Sequence, residues 1–304
     1  VVGESGSGKS TLAQALLGLL PFDGQMRISG AQWQQPAHRN SAHNKALRRH
    51  VQVVFQDPFS SLNPRFNVYQ IISEPMFIRG EDDDETMKER VVELLELVGL
   101  SADDLYRYPS DFSGGQRQRL GIARSIILNP SFLVCDEPVS ALDVSIHAQI
   151  LNLLNTIQQQ MKLTYVFISH NLAVVKNMCD SMAVMYLGKI MESGSSERIF
   201  KNPLHPYTQA LLSVVLDTVV GKERELVVLK GDIPSPINPP SGCRFWQRCP
   251  QAMQGCKTIP PESIEIEEDH FVACHLVNGF PDVELPSNYD QLVAEKPTRT
   301  HSMH

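Results

Sequence analysis

Two rhythms of apolar residues alternate along this chain. Short runs rich in β-branched and aromatic residues, Val51-Gln52-Val53-Val54-Phe55, Phe132-Leu133-Val134-Cys135 and Thr164 to Ile168, read as strands. Between and around them, apolar residues recur three and four apart. Such stretches run from Thr11 to Leu20, through Met87, Val91, Leu94, Leu95 and Val98, from about Gly115, and through Ile146, Ile150, Leu153, Leu154 and Ile157. That spacing gives each helix one apolar stripe to bury, and Gly99 is placed to end the second of them. Strands that alternate with helices need crossovers, so the pattern predicts an α/β fold with a parallel sheet. From Asp57 to about Asp111 the alternation breaks. Pro58, Pro64, Pro75 and an acidic patch from Glu81 to Glu85 mark a mainly helical insertion.

The sharpest chemistry lies at the start. Gly3-Glu4-Ser5-Gly6-Ser7-Gly8-Lys9-Ser10 fits the phosphate-loop pattern G-x-x-x-x-G-K-[ST] at every fixed position. Glycines let the backbone turn its N–H groups toward phosphate oxygens, Lys9 brings a cation to the outer phosphates, and the Ser10 hydroxyl can ligate Mg²⁺. Gly3, Ser5, Gly6, Gly8, Lys9, Ser10 and Thr11 form the expected binding stretch. An ordinary Gly/Ser turn would not require Lys and Ser after its last glycine. The first residue is not Met, and only Val1-Val2 stand where a buried strand normally precedes such a loop. A truncated start is therefore expected, with any base-stacking residue beyond it.

Two further groupings gain meaning beside that loop. The run Phe132 to Cys135 ends in Asp136-Glu137, and the carboxyl end of a strand is where an α/β sheet places its ligand chemistry. Asp136 is suited to hold Mg²⁺, and Glu137 to orient or deprotonate the water that attacks a γ-phosphate. Ser113-Gly114-Gly115-Gln116, opening a helix, make a second anion-binding helix start. One nucleotide does not need two cradles, so this element is expected to close over the nucleotide of a partner in a head-to-tail pair.

With these groups in order, the chain resembles the ATP-binding-cassette (ABC) ATPases from residue 1 to about 215. Phe112-Ser113-Gly114-Gly115-Gln116 looks like that family's signature, with Phe where Leu is commoner. Gln56 matches its Q-loop glutamine, Ser140-Ala141-Leu142-Asp143 its D-loop, and Ser169-His170 its switch histidine, followed here by Asn171 instead of Asp. The resemblance implies that Gln56 senses Mg²⁺ and the attacking water while linking to a transmembrane partner. It also implies that His170 contacts the γ-phosphate, and that Asp143 joins Ser113, Gly114, Gly115 and Gln116 at the nucleotide interface. Asn202-Pro203-Leu204-His205-Pro206-Tyr207-Thr208-Gln209-Ala210-Leu211-Leu212 resembles the segment that ends the core of dipeptide and oligopeptide importer ATPases. Nickel and glutathione uptake systems share that template.

Composition narrows the class. With 42% hydrophobic and 20% charged residues the chain is an ordinary globular protein, and no apolar run approaches the length of a membrane-spanning helix. A net charge of -7 argues against nucleic acid as a partner.

Beyond Leu216, Pro234-Ser235-Pro236 and Asn238-Pro239-Pro240 suggest a stiff connector, and four of the six cysteines follow it: Cys243, Cys249, Cys256 and Cys274. Cys135 and Cys179 sit among apolar neighbours and read as core thiols. In a reducing compartment a thiolate quartet suits either tetrahedral Zn²⁺ or an iron–sulfur cluster better than two disulfides, though the spacing does not match the short knuckles of common zinc sites. The resemblance selects a [4Fe-4S] cluster, as in the C-terminal domain of dipeptide importer ATPases.

The expected organisation is a P-loop NTPase (ABC ATPase) core over 1–56 and 112–215, a helical subdomain over 57–111, a small separate cysteine-rich C-terminal domain over 216–285, too poor in periodic apolar residues to fold alone and cross-linked by its metal centre, and a disordered tail over 286–304. The expected function is ATP hydrolysis, with Mg²⁺, that powers dipeptide and oligopeptide import. The expected partners are a second ATPase chain, two permeases and, indirectly, a peptide-binding protein, with this subunit peripheral at the cytoplasmic face of the inner membrane. A soluble ABC ATPase working as a clamp without a permease is the opposing class. The short helical insertion and the importer-type extension speak against it.

Overall fold

A computed structural model of the chain describes residues 1–28, 30–33, 48–80, 83–216, 229 and 231–279. It divides into two compact units, Val1 with Lys9–His170, and Val2–Gly8 with Asn171–His304.

The first unit opens with α1 (Lys9–Leu16) and an antiparallel hairpin of β1 (Met26–Ile28) and β2 (Ala31–Trp33). The helix expected to reach Leu20 stops at Leu16. Gly18 takes φ +67, and the Leu19 N–H reaches the Gln14 carbonyl at 2.8 Å while Gly18 N–H reaches Ala15. These are the paired bonds of a Schellman cap, which a glycine in the left-handed region closes cheaply.

β3 (Val51–Val54), β4 (Phe132–Asp136) and β5 (Thr164–Ile168) form the parallel sheet in the order β3-β4-β5. Val54 stands opposite Cys135, and Asp136 opposite Ile168. All three carboxyl ends therefore finish at one edge. Whatever follows them in sequence, Gln56, Glu137 and His170, is delivered to that edge.

The long crossover from β3 to β4 carries α2 (Val68–Ile78), α3 (Asp84–Leu97) and α4 (Gly114–Ile126). Asn67 caps α2 in a reciprocal box with Gln70, and α3 buries Met87, Val91, Leu94 and Leu95 on one stripe. Ser113 caps α4 in a second box with Gln116. α5 (Val144–Met161) returns the chain to β5, with Ile150, Leu154 and Ile157 buried.

The second unit joins Val2–Gly8 to α6 (Leu172–Met178), β6 (Ser181–Tyr186), β7 (Lys189–Ser195), α7 (Ser196–Lys201), α8 (Pro206–Leu216), β8 (Ile264–Glu267), β9 (His270–Val272) and α9 (His275–Asn278). Its sheet is antiparallel, in the order β6-β7-β9-β8, and Val2 adds a parallel bridge to Val184.

The separate cysteine-rich domain is the expectation that changes most. Val272 pairs with Glu192 and Phe271 with Ser193, so the C-terminal hairpin extends the β6–β7 sheet. Cys243, Phe245 and Cys256 share one buried cluster with Val2, Val184, Tyr186 and Tyr207. The physical reason is a shortage of apolar residues in the extension. It cannot build a core alone, so it completes one. The division also falls at 170/171, inside the stretch 112–215. The tail 286–304, along with Glu81 and Asp82 of the acidic patch, lies outside the described residues. Among the described residues no helix is long and apolar enough to cross a membrane.

Candidate functional site

In the second unit the phosphate loop is shaped by close approach. A Cβ at Gly3 would lie 2.1 Å from the Met185 carbonyl oxygen, and Gly8 takes φ +101. Neither position admits a side chain without moving backbone. Ser7 accepts a hydrogen bond from Gly188 N–H at 2.8 Å through its carbonyl.

In the first unit, Lys9 is buried at the start of α1, while Ser10 and Thr11 are exposed on its first turn. The amide groups there lack intrahelical partners, which leaves donors and a positive dipole end for an anion. Asp136 ends β4. Burial and the adjacent Glu137 carboxylate push its carboxyl pKa up, against the opposing pull of Lys9. Asp136 Oδ1 is buried and has no hydrogen-bond partner among the described residues. An orphaned carboxylate oxygen beside a cation fits a hard divalent ion, and with Ser10 and Gln56 it gives the expected Mg²⁺ donors an all-oxygen character.

Glu137 is held in the left-handed region at φ +46, an uncommon conformation for a residue with a side chain. Its N–H donates to Ile168 at 3.0 Å, and its carbonyl accepts from both the backbone and the hydroxyl of Ser140. The outcome is a carboxylate turned across the sheet edge. Its Oε2 lies 3.3 Å from Gln56 Nε2, which donates to it, and 3.1 Å from His170 Nδ1. Three residues named from separate motifs thus meet at one oxygen. His170 remains largely exposed and engages Glu137 itself.

The signature segment is organised differently. Ser113 spends its hydroxyl on Gln116 N–H at 3.4 Å, and Gln116 returns its side-chain oxygen to Ser113 N–H at 3.0 Å. A Cβ at Gly115 would meet Ile146 at 2.7 Å, and one at Gly114 would touch Leu142 and Phe59. These glycines let α4 lie against the Ser140–Asp143 loop and the start of α5. Among the described residues no hydrogen bond joins Ser113–Gln116 to Glu137, Gln56 or His170. Asp143 is exposed at the start of α5.

Sequence reasoning missed Gln118. This side chain is 2% exposed, and its Nε2 donates to the Pro138 carbonyl at 2.9 Å and to the Phe55 carbonyl at 3.4 Å. It ties α4 to the residue before Gln56 and the residue after Glu137. The available signal was an amide at a buried register of an otherwise apolar stripe, alongside Leu120, Ile122 and Ile126.

Cys243, Cys256 and Cys274 are buried and Cys249 half-buried, and none is in a disulfide. Burial pushes the Cys243 thiol up to about 12, with Cys256, Cys274 and Cys249 adding to the shift; burial likewise pushes Cys249 up to about 11. The thiols share one neighbourhood. Among the described residues, however, no group of three or more His, Cys, Asp or Glu stands where it could hold a metal ion. His275, beside Cys274, is engaged with the Ile259 and Gly279 carbonyls.

Comparison with known proteins gives a consistent picture. Residues 1–140 match the ABC transporter family, and residues 191–256 match the oligopeptide/dipeptide transporter C-terminal region. The oligopeptide transport ATP-binding protein AppF of Bacillus subtilis is 50% identical over 279 residues, covering 91% of this chain and 84% of AppF. The di/tripeptide transport ATP-binding protein DppF of Pseudomonas aeruginosa is 45% identical over 281 residues, covering 92% and 86%. Among solved structures, cbiO1 from Clostridium perfringens, part of the ABC transporter complex cbiONQ, superimposes with a TM-score of 0.60 at 25% identity, over 72% of this chain and 82% of its own. The ATP-binding cassette MJ0796, a dimer in a post-hydrolysis state bound to ADP and Pi, gives 0.56 at 26% identity, over 64% and 83%.

Proposed function

This chain belongs to the ABC transporter ATP-binding proteins, in the branch with the oligopeptide/dipeptide transporter C-terminal region, and on that premise we propose that it hydrolyses ATP to drive peptide import, with Glu137 as general base. The observation that carries the assignment is the convergence of Gln56 and His170 on Glu137 Oε2, next to Asp136 with its orphaned oxygen. Water oxygen attacks the γ-phosphorus, its proton passes to the Glu137 carboxylate, and the bond to the ADP oxygen breaks. His170 Nδ1 and the Gln56 amide hold the carboxylate in place, so the base is oriented before a water arrives. Lys9 and the helix start of α1 take the phosphate charge. Ser10, Gln56 and Asp136 would hold Mg²⁺, which would supply charge compensation for the phosphates.

As an ABC importer ATPase the chain acts with permease subunits, and a surface of the first unit suits that role. A cavity of about 410 Å³ is lined by Arg49, His50, Met76, Arg79, Arg90 and Ile127 among others. On α2, between Met76 and Arg79 in sequence, Phe77 and Ile78 stand 70% and 76% exposed. A cavity with three arginines in its lining, and exposed apolar side chains on the same helix, fit a short permease segment at the cytoplasmic face. Pairing with a second ATPase chain is supported by the signature segment, which among the described residues makes no hydrogen bond to this chain's own Glu137.

The four cysteines support a resident [4Fe-4S] centre. Thiols pushed up by burial stay protonated without compensating charge, and a metal centre would supply both that charge and the cross-links. Tetrahedral Zn²⁺ on the same four sulfurs is the alternative reading, and among the described residues no group of three or more His, Cys, Asp or Glu stands where it could hold a metal ion of either kind.

The test of the ATPase assignment is Glu137→Gln in the assembled transporter. ATP binding should persist while hydrolysis and peptide uptake fall by about 10² to 10⁴. Hydrolysis within a few-fold of the parent would refute the assignment.

A further inference from the structure

The second position of the phosphate loop is an acid, Glu4, in a loop whose task is to hold an anion. The structure shows what is done with that charge. Arg248, which neighbours Cys249, clasps it through two parallel bonds, Nη1 to Oε2 at 2.5 Å and Nη2 to Oε1 at 3.1 Å. The arginine side chain is only 7% exposed. Its Nη1 also lies 3.4 Å from the Tyr186 hydroxyl, and its guanidinium sits over the Tyr186 ring. On the backbone side, Glu4 N–H donates to the Tyr207 hydroxyl at 2.9 Å.

These partners form one rigid platform. Tyr186, Tyr207 and Phe245 pack with ring centroids 4.8 to 5.3 Å apart, and all are essentially fully buried. The N–H groups of Arg248 and Cys249 both donate to the Phe245 carbonyl at 3.0 Å, so one turn of chain fixes the arginine relative to the aromatic platform and to the cysteine. A planar guanidinium satisfies a carboxylate in a single arrangement, which a lysine cannot reproduce.

We propose that Arg248 is a positioning residue for ATP binding: the cysteine-bearing segment reaches back to the phosphate loop, fixes Glu4 and cancels its charge, so that the loop keeps its shape and does not repel a triphosphate. The inference rests on the ATP-site reading above. It makes the affinity for ATP depend on a residue far from any nucleotide motif, and it gives the importer-type extension a direct role in the ATPase cycle.

The test is titration of the full chain with a fluorescent ATP analogue and Mg²⁺, with thermal unfolding recorded for each variant. Arg248→Ala should weaken binding by about tenfold, within the range of coupled sites. Adding Glu4→Gln to that variant should recover most of the loss, because it removes the carboxylate left without its guanidinium. Arg248→Lys, which keeps the charge and loses the fork, should fall between. A merely structural role would lower the unfolding temperature and binding together without repair by Glu4→Gln. If Arg248→Ala does not fold, Arg248→Lys and its Glu4→Gln double variant decide by the same rule. Binding within twofold of the parent in the arginine variants, or a loss that Glu4→Gln does not relieve, overturns the proposal. A parent chain that binds the analogue no better than Lys9→Ala overturns the ATP-site reading as well.

Discussion

Replacing Gln118 by Leu separates positioning from chemistry, because Gln118 touches no reacting group in the proposed mechanism. Its amide holds two carbonyls, Pro138 at 2.9 Å and Phe55 at 3.4 Å. The second bond is long and Phe55 is 45% exposed, so water can replace it. The first bond ends on a buried acceptor. Leaving such a carbonyl unmet costs about 1 to 3 kcal/mol, so we expect destabilisation of about 2 kcal/mol. For a unit of this size, that lowers the unfolding temperature by roughly 4 to 8 °C. The kinetic effect should be larger than the stability effect suggests. Pro138 follows Glu137 directly, and Phe55 precedes Gln56. A shift of about 1 Å at either residue costs on the order of 10² in rate, so kcat should fall roughly 10- to 100-fold with ATP affinity little changed. Calorimetry on the purified chain and steady-state ATPase assays on the assembled transporter read the two effects. A lowered unfolding temperature with kcat within twofold of the parent would refute the positioning role.

Two other perturbations follow from the site. Ser113→Arg should leave ATP binding to this chain's own loop within a few-fold, since Ser113 bonds only its own helix start in the described residues, while impairing closure of an ATPase pair; nucleotide titration and size-exclusion of the ATP-bound, Glu137→Gln background measure each. Cys249→Ser should abolish the broad visible absorption and the iron and sulfide content expected of anaerobically purified protein. Colourless parent protein with stoichiometric zinc would reassign the four-cysteine site.

Much of the first unit could be read from sequence because its signals are local. Apolar strands followed at once by Gln56, by Asp136-Glu137 and by Ser169-His170 needed only the rule that parallel strands present their carboxyl ends together. The long stripe Met87, Val91, Leu94, Leu95 likewise gave a helix that the structure closes at Leu97. What sequence could not supply was pairing across distance. Nothing near Arg248 points to Glu4, and nothing near Val272 points to Glu192. The Pro-rich stretch 234–240 looks like a linker between independent domains, and that local appearance concealed the shared core. The 3.1 Å approach of His170 Nδ1 to Glu137 Oε2 is another such pairing, since the two residues lie on different strand ends and no local signal joins them.

The shared core of Val2, Tyr186, Tyr207 and Phe245 sets the rule for recombining such ATPases. A chimera spliced in the Pro-rich stretch would join a foreign extension to a sheet and an aromatic platform shaped for another sequence, and would strand Glu4 without its guanidinium. The exchangeable piece starts at Asn171 and must travel with Val2–Gly8, far from it in sequence. Two inserts, moved as a matched set, are the smallest transplant that preserves what this chain has built.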